Sequence, residues 1–429
     1  MSGKRLSRRD VLRGAAGGAA LAIVPRHVLG GPGRTPPSET ITRGVIGCGY
    51  KGQATHIIPN SDDAAPVTLA VCDVDSNHLA DGLRKAGRGC TAYKDFRRVM
   101  ERKDINTIHV VVPPHWHSLV CIAAAQAGKD ILCEKPMTKF IREGRAVVEA
   151  VRRHGVVFQI GTYGRFNVAK SPREMARRKL AAGGAFPPEA APRAIVRRTN
   201  WNVRIWIGRT DLTPQPVPEA LDYDFWLGPA PWKPYHPHRV HNPTPGQYGM
   251  SSFRAYWDYE GGGLGDMGQH HLDGVQYLLA KDATSPVRVR ARAPWPAHPD
   301  ACGLWGWVEM TYSDGTVLVL DSTEWGERYP GEDRWPRVAD LSEEGRRSLA
   351  AAPEPEPLLD FATAVRTRRP AGGGAEASHR CATLIHLANI AIRTGREIRY
   401  DPVAERIVGD EEANRLVDVP MRPPWRLPC

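Results

Sequence analysis

The chain is poor in the features that mark several protein classes. Its eight cysteines, Cys48, Cys72, Cys90, Cys121, Cys133, Cys302, Cys381 and Cys429, form no C-x-x-C pair, so they spell neither a zinc pattern nor a disulfide framework. Several fall in expected buried strands, where a thiol behaves as a small hydrophobe. No internal repeat occurs. The N-terminal apolar run Gly14 to Val24 is eleven residues, too short to cross about 30 Å of hydrocarbon at about 1.5 Å per residue. Stable membrane insertion is not expected. Nor is nucleic-acid binding: the net charge of +11 comes largely from scattered arginines such as Arg97-Arg98 and Arg152-Arg153, not from one basic face with aromatic platforms. His236, His238, His241, His270 and His271 match no zinc spacing, and no metal is expected.

What remains is a chain of 429 residues, 41% apolar and 24% charged, the composition of a soluble globular protein with room for two domains. Residues 1–30 carry +5 of the net charge. Within them, Ser7-Arg8-Arg9-Asp10-Val11-Leu12 precedes a short Ala/Gly-rich apolar run and resembles a twin-arginine signal peptide, with valine where phenylalanine is usual. The competing reading is an ordinary basic tail. The expectation is a signal over 1–30, a Gly/Pro-rich linker over 31–40, and export to the periplasm or beyond the membrane. The twin-arginine route carries folded proteins, so any cofactor would be loaded before export and would have to be held tightly and recycled in place.

From Thr42 to about Ile160, short apolar runs alternate with helical patterns. The runs are Gly44–Ile46, Val67–Cys72, Thr107–Val112, Asp130–Cys133 and Val156–Ile160; the helices are Asp95–Arg102, Leu119–Ala127 and Arg142–Arg153. This predicts a doubly wound parallel sheet over 41–160. Beyond Gly161, Arg193–Thr199, Val287–Ala293, Gly303–Tyr312 and Thr316–Ser322 read as strands, the last two joined by a turn at Ser313-Asp314-Gly315-Thr316. Helical patterns at Leu358–Arg368 and Ser378–Thr394 follow. The fold class is therefore α/β, with a second α+β domain over 161–429 built on an open, mainly antiparallel sheet.

Gly47-Cys48-Gly49-Tyr50-Lys51-Gly52 follows the first strand, and Asp73 ends the second. A G-x-G-x-x-G alone is weak; between a strand and a helix, with an acid at the next strand's end, it marks a dinucleotide site. The glycines let the backbone approach a pyrophosphate, which the following helix N-terminus favours. Asp73 would accept hydrogen bonds from ribose hydroxyls and repel a 2′-phosphate, so NAD is expected over NADP. Pro113 and His117, and then Glu134-Lys135-Pro136, sit at strand ends, where ligands bind in this architecture. Gly261-Gly262-Gly263-Leu264-Gly265-Asp266 precedes a helical pattern to Leu279, with Asp266, His270, Asp273 and Tyr277 on one stripe. Asp266 and His270 form a candidate proton-transfer pair, the carboxylate orienting the ring; the bland readings are a helix cap and a core histidine. The loop Pro231–Tyr259 supplies a candidate substrate wall in His236, Arg239, Arg254, Tyr256 and Trp257, against the alternative of a loop stapled by its own aromatics.

Together the glycine loop, Glu134-Lys135-Pro136, and Asp266 with His270 resemble the Gfo/Idh/MocA oxidoreductases, over about residues 40–429. The resemblance implies a Rossmann domain and a second domain whose open sheet often mediates dimers or tetramers. It also implies that Tyr50, Lys51, Glu134 and His117 lie near NAD. His270 would take the proton of a sugar or polyol hydroxyl, Lys135 would stabilise the alkoxide and hold the nicotinamide, and Asp266 would position the sugar or the histidine. Hydride would pass from the carbinol carbon to the nicotinamide. Two other functions stay open. One is a redox-neutral glycoside hydrolase or lyase working by oxidation, elimination and addition; the other is a sugar-binding protein without activity.

Overall fold

A computed structural model describes residues 40–60, 67–182, 191–197, 206–240, 252–335, 337, 339, 341–351 and 355–428. The expected signal peptide and all but the last residue of the linker lie outside the described residues, as do the last two residues of the strand expected at Arg193–Thr199.

Six strands form the first sheet: β1 (Thr42–Ile46), β2 (Val67–Cys72), β3 (Thr91–Tyr93), β4 (Thr107–Val110), β5 (Asp130–Cys133) and β6 (Phe158–Ile160). Their order is β3-β2-β1-β4-β5-β6, and every pairing is parallel. Strands β1 and β4, separated in sequence by β2 and β3, are neighbours in space, so the strand order reverses there and a crevice opens at their carboxyl ends. Each strand is short and apolar because helices cover both faces. These helices are α1 (Ser76–Ala86), α2 (Phe96–Met100), α3 (His117–Gln126) and α4 (Ile141–His154). Asp75 caps α1, accepting from the N–H groups of Asn77 and His78 at 2.8 and 3.3 Å.

One expectation fails here. Gly52 is followed not by a regular α-helix but by a single π-turn, Gly52–His56, closed by the Ile57 N–H on the Gly52 carbonyl. The wider turn swings His56 inward, where it is 5% exposed and meets Glu134 and His109 at 3.0 and 3.1 Å.

The second domain adds β7 (Arg193–Arg197), β8 (Arg288–Arg292), β9 (Trp307–Thr311), β10 (Val317–Asp321), β11 (Ile398–Asp401) and β12 (Arg406–Ile407). Their order is β12-β11-β8-β9-β10-β7, antiparallel throughout except for the parallel β10–β7 pair. In chain order its helices are α5 (Gly164–Ala169), α6 (Pro172–Ala182), α7 (Tyr223–Leu227), α8 (Gly262–Leu278), α9 (Glu343–Ala351), α10 (Phe361–Thr367), α11 (Ala375–Thr394) and α12 (Glu411–Asn414). Leu264 and Leu272 of α8 and Leu384, Ile385 and Leu387 of α11 form one core with Val289, Val308, Met310, Leu318 and Leu320 of the sheet. Each such fully buried side chain contributes about 1.5–3 kcal/mol. Ala375 and Ala382 of α11 join the Rossmann core instead, so this helix ties the two domains.

Helix α8 begins at Gly262, earlier than the glycine run suggests. Glycine costs about 1 kcal/mol in a helix, but here tertiary contact decides. A Cβ at Gly265 would lie 3.0 Å from the Glu260 carbonyl oxygen, and one at Gly262 would lie 3.0 Å from Cys302. Further along, α8 crosses α5 at Gly274 and Gly164, and Arg165 locks the crossing. Its guanidinium donates to Asp273 Oδ1 at 2.6 and 2.8 Å and to Asp282 at 3.1 Å. Asp273, expected on one stripe with Asp266 and His270, is fully buried in this pair. Removing one partner strands a buried charge, which costs about 3–5 kcal/mol. The Asp273→Ala variant is therefore expected to lose stability of that order, measured as a lower denaturant midpoint at unchanged slope.

Candidate active site

The crevice between β1 and β4 carries the glycine loop. Gly47 has φ of 102°, and a Cβ there would lie 2.4 Å from the Val111 carbonyl oxygen. A Cβ on Gly52 would lie 2.1 Å from the Gly47 carbonyl oxygen. Above Gly49 the nearest atoms are the His78 ring at 3.9 Å. Two glycines thus let the loop fold tightly, and the middle one leaves room for a pyrophosphate. Asp73 stands at the end of β2, its oxygens accepting from the N–H groups of Cys48 and Asp75 at 2.7 and 2.9 Å. Burial pushes its carboxyl above the usual range, against the pull of His78 and both N–H groups. Asp73, Gly47, Gly49 and Pro113 line one cavity of about 120 Å³. These residues fit NAD. Tyr50 is 55% exposed at the loop's tip, while Lys51 reaches Glu134 at 3.5 Å.

His117 is not at the crevice surface. It is 1% exposed, and its two ring nitrogens lie 2.7 and 2.8 Å from the carbonyl oxygens of Pro136 and Val112. Burial drives the ring toward neutrality, whereas two carbonyl acceptors favour the doubly protonated form. The side chain staples the end of β4 to the loop carrying Lys135, so its bearing on the cofactor is indirect.

Lys135, Asp266 and His270 do converge. Lys135 follows β5, and its ammonium donates to the carbonyl and Oδ1 of Asp266 at 2.6 and 2.5 Å. Arg254 Nε lies 3.0 Å from the same Oδ1, and Trp206 Nε1 donates to Oδ2 at 3.0 Å. The Asp266 carboxyl is buried, yet Lys135 and Arg254 outweigh that burial and hold it well below the carboxylate range. Its oxygens are thus committed to Lys135, Arg254 and Trp206. The expected role of orienting the His270 ring gives way to holding the lysine. His270 lies one turn further along the same face of α8. Burial lowers its pKa below 6.5, and nearby Lys135 lowers it further, against the opposite pull of Glu134 and Asp266. The ring is therefore neutral near pH 7 and can accept a proton. Glu134, beside it, is held at about 2: burial would raise it, but His56, Lys51 and Lys135 prevail.

The expected substrate wall is mostly not one. His236 accepts the His238 N–H. Arg239 pairs with Asp300 at 2.6 Å and lies over the Tyr256 ring. Tyr256 is 1% exposed and donates to the Arg209 carbonyl; Trp257 donates to the His298 carbonyl under Arg393. Each of these four side chains makes a contact that staples the loop. Only Arg254 enters the site. Two residues escaped the sequence reading, Trp206 and Glu260. Glu260 directly precedes the glycine run, the one cue that could have found it; Trp206 sits in no recognisable pattern. Glu260 is 3% exposed, and burial, then the Asp266 charge, push its carboxyl up to about 8 against Arg254, Lys135 and Lys139. Among the described residues no group of three or more His, Cys, Asp or Glu side chains is placed to hold a metal ion.

A parallel sheet with a glycine loop at its switch point, facing a lysine and a histidine from two domains, defines a nicotinamide-dependent oxidoreductase. Residues 41–162 match the oxidoreductase family's NAD-binding Rossmann fold and residues 193–427 its C-terminal alpha/beta domain; the chain belongs to the Gfo/Idh/MocA oxidoreductase family. Levoglucosan dehydrogenase of Pseudarthrobacter phenanthrenivorans is 27% identical over 155 residues, 34% of this chain and 38% of that one. The 2,7-anhydro-N-acetylneuraminate hydratase of Mediterraneibacter gnavus is 24% identical over 123 residues, 29% of this chain and 32% of that one. The chain thus matches less than two fifths of either relative's length. The structure of the WlbA dehydrogenase from Bordetella pertussis with NADH and UDP-GlcNAcA superimposes with a TM-score of 0.54 at 17% identity, over 84% of this chain and 99% of that one. It shares the fold.

The raised Glu260 carboxyl has a measurable consequence. Its folded value of about 8 exceeds its ordinary 4.5, so between these pH values the unfolded chain ionises first and stability falls as pH rises. The Glu260→Gln variant lacks this loss. It is expected to gain on the wild type by up to about 1.4 kcal/mol per pH unit across that window, seen in denaturation midpoints collected at several pH values.

Proposed function

We propose that the protein oxidises a hydroxyl of a sugar or polyol and is exported by the twin-arginine route with NAD held through each turnover. The single observation that carries this reading is the meeting of Lys135 and His270 across Asp266, beside Glu134 and the glycine loop. Bound NAD supplies the hydride acceptor. The neutral His270 ring takes the hydroxyl proton. Lys135, fixed by the Asp266 carboxylate and carbonyl, stabilises the negative charge developing on the substrate oxygen. Arg254 and Trp206 fix the carboxylate in turn, so the ammonium is aimed before substrate arrives. The named activity of levoglucosan dehydrogenase supports a carbohydrate substrate. A redox-neutral course, oxidation followed by elimination, water addition and return of the hydride, is the second reading, favoured by the hydratase among the relatives.

Purified protein offered free sugars and aryl glycosides separates the two. Net formation of NADH supports the dehydrogenase, and aglycone release without added NAD supports the neutral cycle. Absence of both, with no nicotinamide bound, removes the enzymatic reading. Lys135→Ala and His270→Ala are expected to lower turnover about 10²–10⁴-fold while keeping the cofactor. In the wild type the rate is expected to fall as pH drops through the His270 value, below 6.5, and His270→Gln should abolish that acid limb.

A further inference from the structure

In an open doubly wound sheet the dinucleotide crevice faces solvent. Here part of it has a roof from the second domain. The cavity beside Asp73 is lined on one side by Gly47, Gly49 and Pro113 and on the other by Phe225, Trp226 and Phe253. A flat, mostly apolar slot ending at a carboxylate suits a purine riboside, with aromatic faces for the base and Asp73 for the ribose diol.

The roof is fastened at three places. Along its leading edge, Leu221 bridges Asp75 in antiparallel fashion, the Ser76 N–H donates to the Ala220 carbonyl at 2.8 Å, and the Asp222 N–H donates to the Val74 carbonyl at 3.1 Å. At its centre, Trp116 Nε1 donates to the Trp226 carbonyl at 2.9 Å. From outside, residues 422–425 clamp it. The Arg422 guanidinium donates to the Asp224 carboxylate and carbonyl at 2.6 and 2.7 Å and to the Gly228 carbonyl at 2.9 Å. Trp425 stacks on Phe225 at 5.7 Å between centroids, 7° from parallel, and meets Trp116 edge-on at 4.7 Å. Arg97 of the first domain lies over both Phe225 and Trp425.

We propose that residues 220–228, bolted down by Arg422 and Trp425, form a strap that covers the adenosine of NAD and sets how slowly the cofactor leaves. The inference rests on the reading that NAD is retained between turnovers, and it names the residues responsible. Release then requires the strap to lift, which breaks the Arg422–Asp224 pair and the Trp425–Phe225 stack together.

The test loads full-length protein with NADH and follows loss of bound-cofactor fluorescence after excess NAD is added. The wild type is expected to keep its NADH through gel filtration and to release it slowly. Trp425→Ala, and separately Asp224→Asn at an exposed rim position, are expected to release NADH at least tenfold faster. Thermal midpoints identify any variant that has simply unfolded; Asp224→Asn, the milder change, keeps the proposal open to refutation in that event. Wild-type release rates in a folded variant of both kinds would overturn the strap and leave tight retention standing. A wild type that loses NADH on the column would overturn retention itself, and the strap with it.

Discussion

The ion pair between Lys135 and Asp266 is the contact on which the rest of this molecule depends. One partner ends a strand of the first sheet and the other lies in the second turn of a helix of the second domain. Both are nearly closed off from water, with side-chain exposures of 10% and 4%. Burying two charges costs several kcal/mol each, and their mutual attraction alone barely recovers it. The balance is met because the carboxylate is saturated: Arg254 and Trp206 occupy what Lys135 leaves. An ammonium so placed is not a mobile surface charge. Its direction is set by the packing of two domains, and small shifts between them would be felt at the substrate oxygen it is proposed to stabilise.

Charge balance around that pair explains its neighbours. Lys51, Lys135 and Arg254 face Glu134 and Asp266, both kept ionised by their partners. Glu260 has only a share of Arg254, 3.5 Å from its Oε2, and burial with the Asp266 charge leaves it protonated near neutral pH. His270 stays unprotonated because burial, and then Lys135, disfavour its charged form. One acid and one base thus hold opposite protonation states within a single cluster, each determined by burial and by which charges are already spoken for.

Much of the fold was legible in the residues alone, because continuous apolar runs between helical patterns admit few alternatives to a covered parallel sheet. The ends of β2 and β5 coincide with the runs Val67–Cys72 and Asp130–Cys133. The three-residue strand at Thr91–Tyr93 and the two-residue strand at Arg406–Ile407 were not legible, since neither is long enough to show a period. In the site, Lys135, Asp266 and His270 could be picked out because motifs flank each. The aromatic loop was misread for a physical reason: a tyrosine or arginine that binds a sugar and one that staples a loop have the same composition, and only their partners differ. Asp300, His298 and Arg209, which absorb Arg239, Trp257 and Tyr256, lie 41 to 61 residues away in the chain from their partners and carry no local sign of the pairing. Asp273 does lie on the helical stripe of Asp266, but its partner Arg165, 108 residues away in the chain, carries no local sign of the pairing.

The crossing of α5 and α8 sets a limit of a different kind. A methyl group on Gly164 would lie 2.8 Å from the Gly274 amide nitrogen and 3.3 Å from the His270 carbonyl oxygen. The turn of α8 that presents the imidazole therefore rests directly on bare backbone, with no side chain between to act as a spring. Any substitution at position 164 pushes first on the turn between His270 and Gly274. The evolutionary freedom of this site is thus bounded by a residue with no functional group at all.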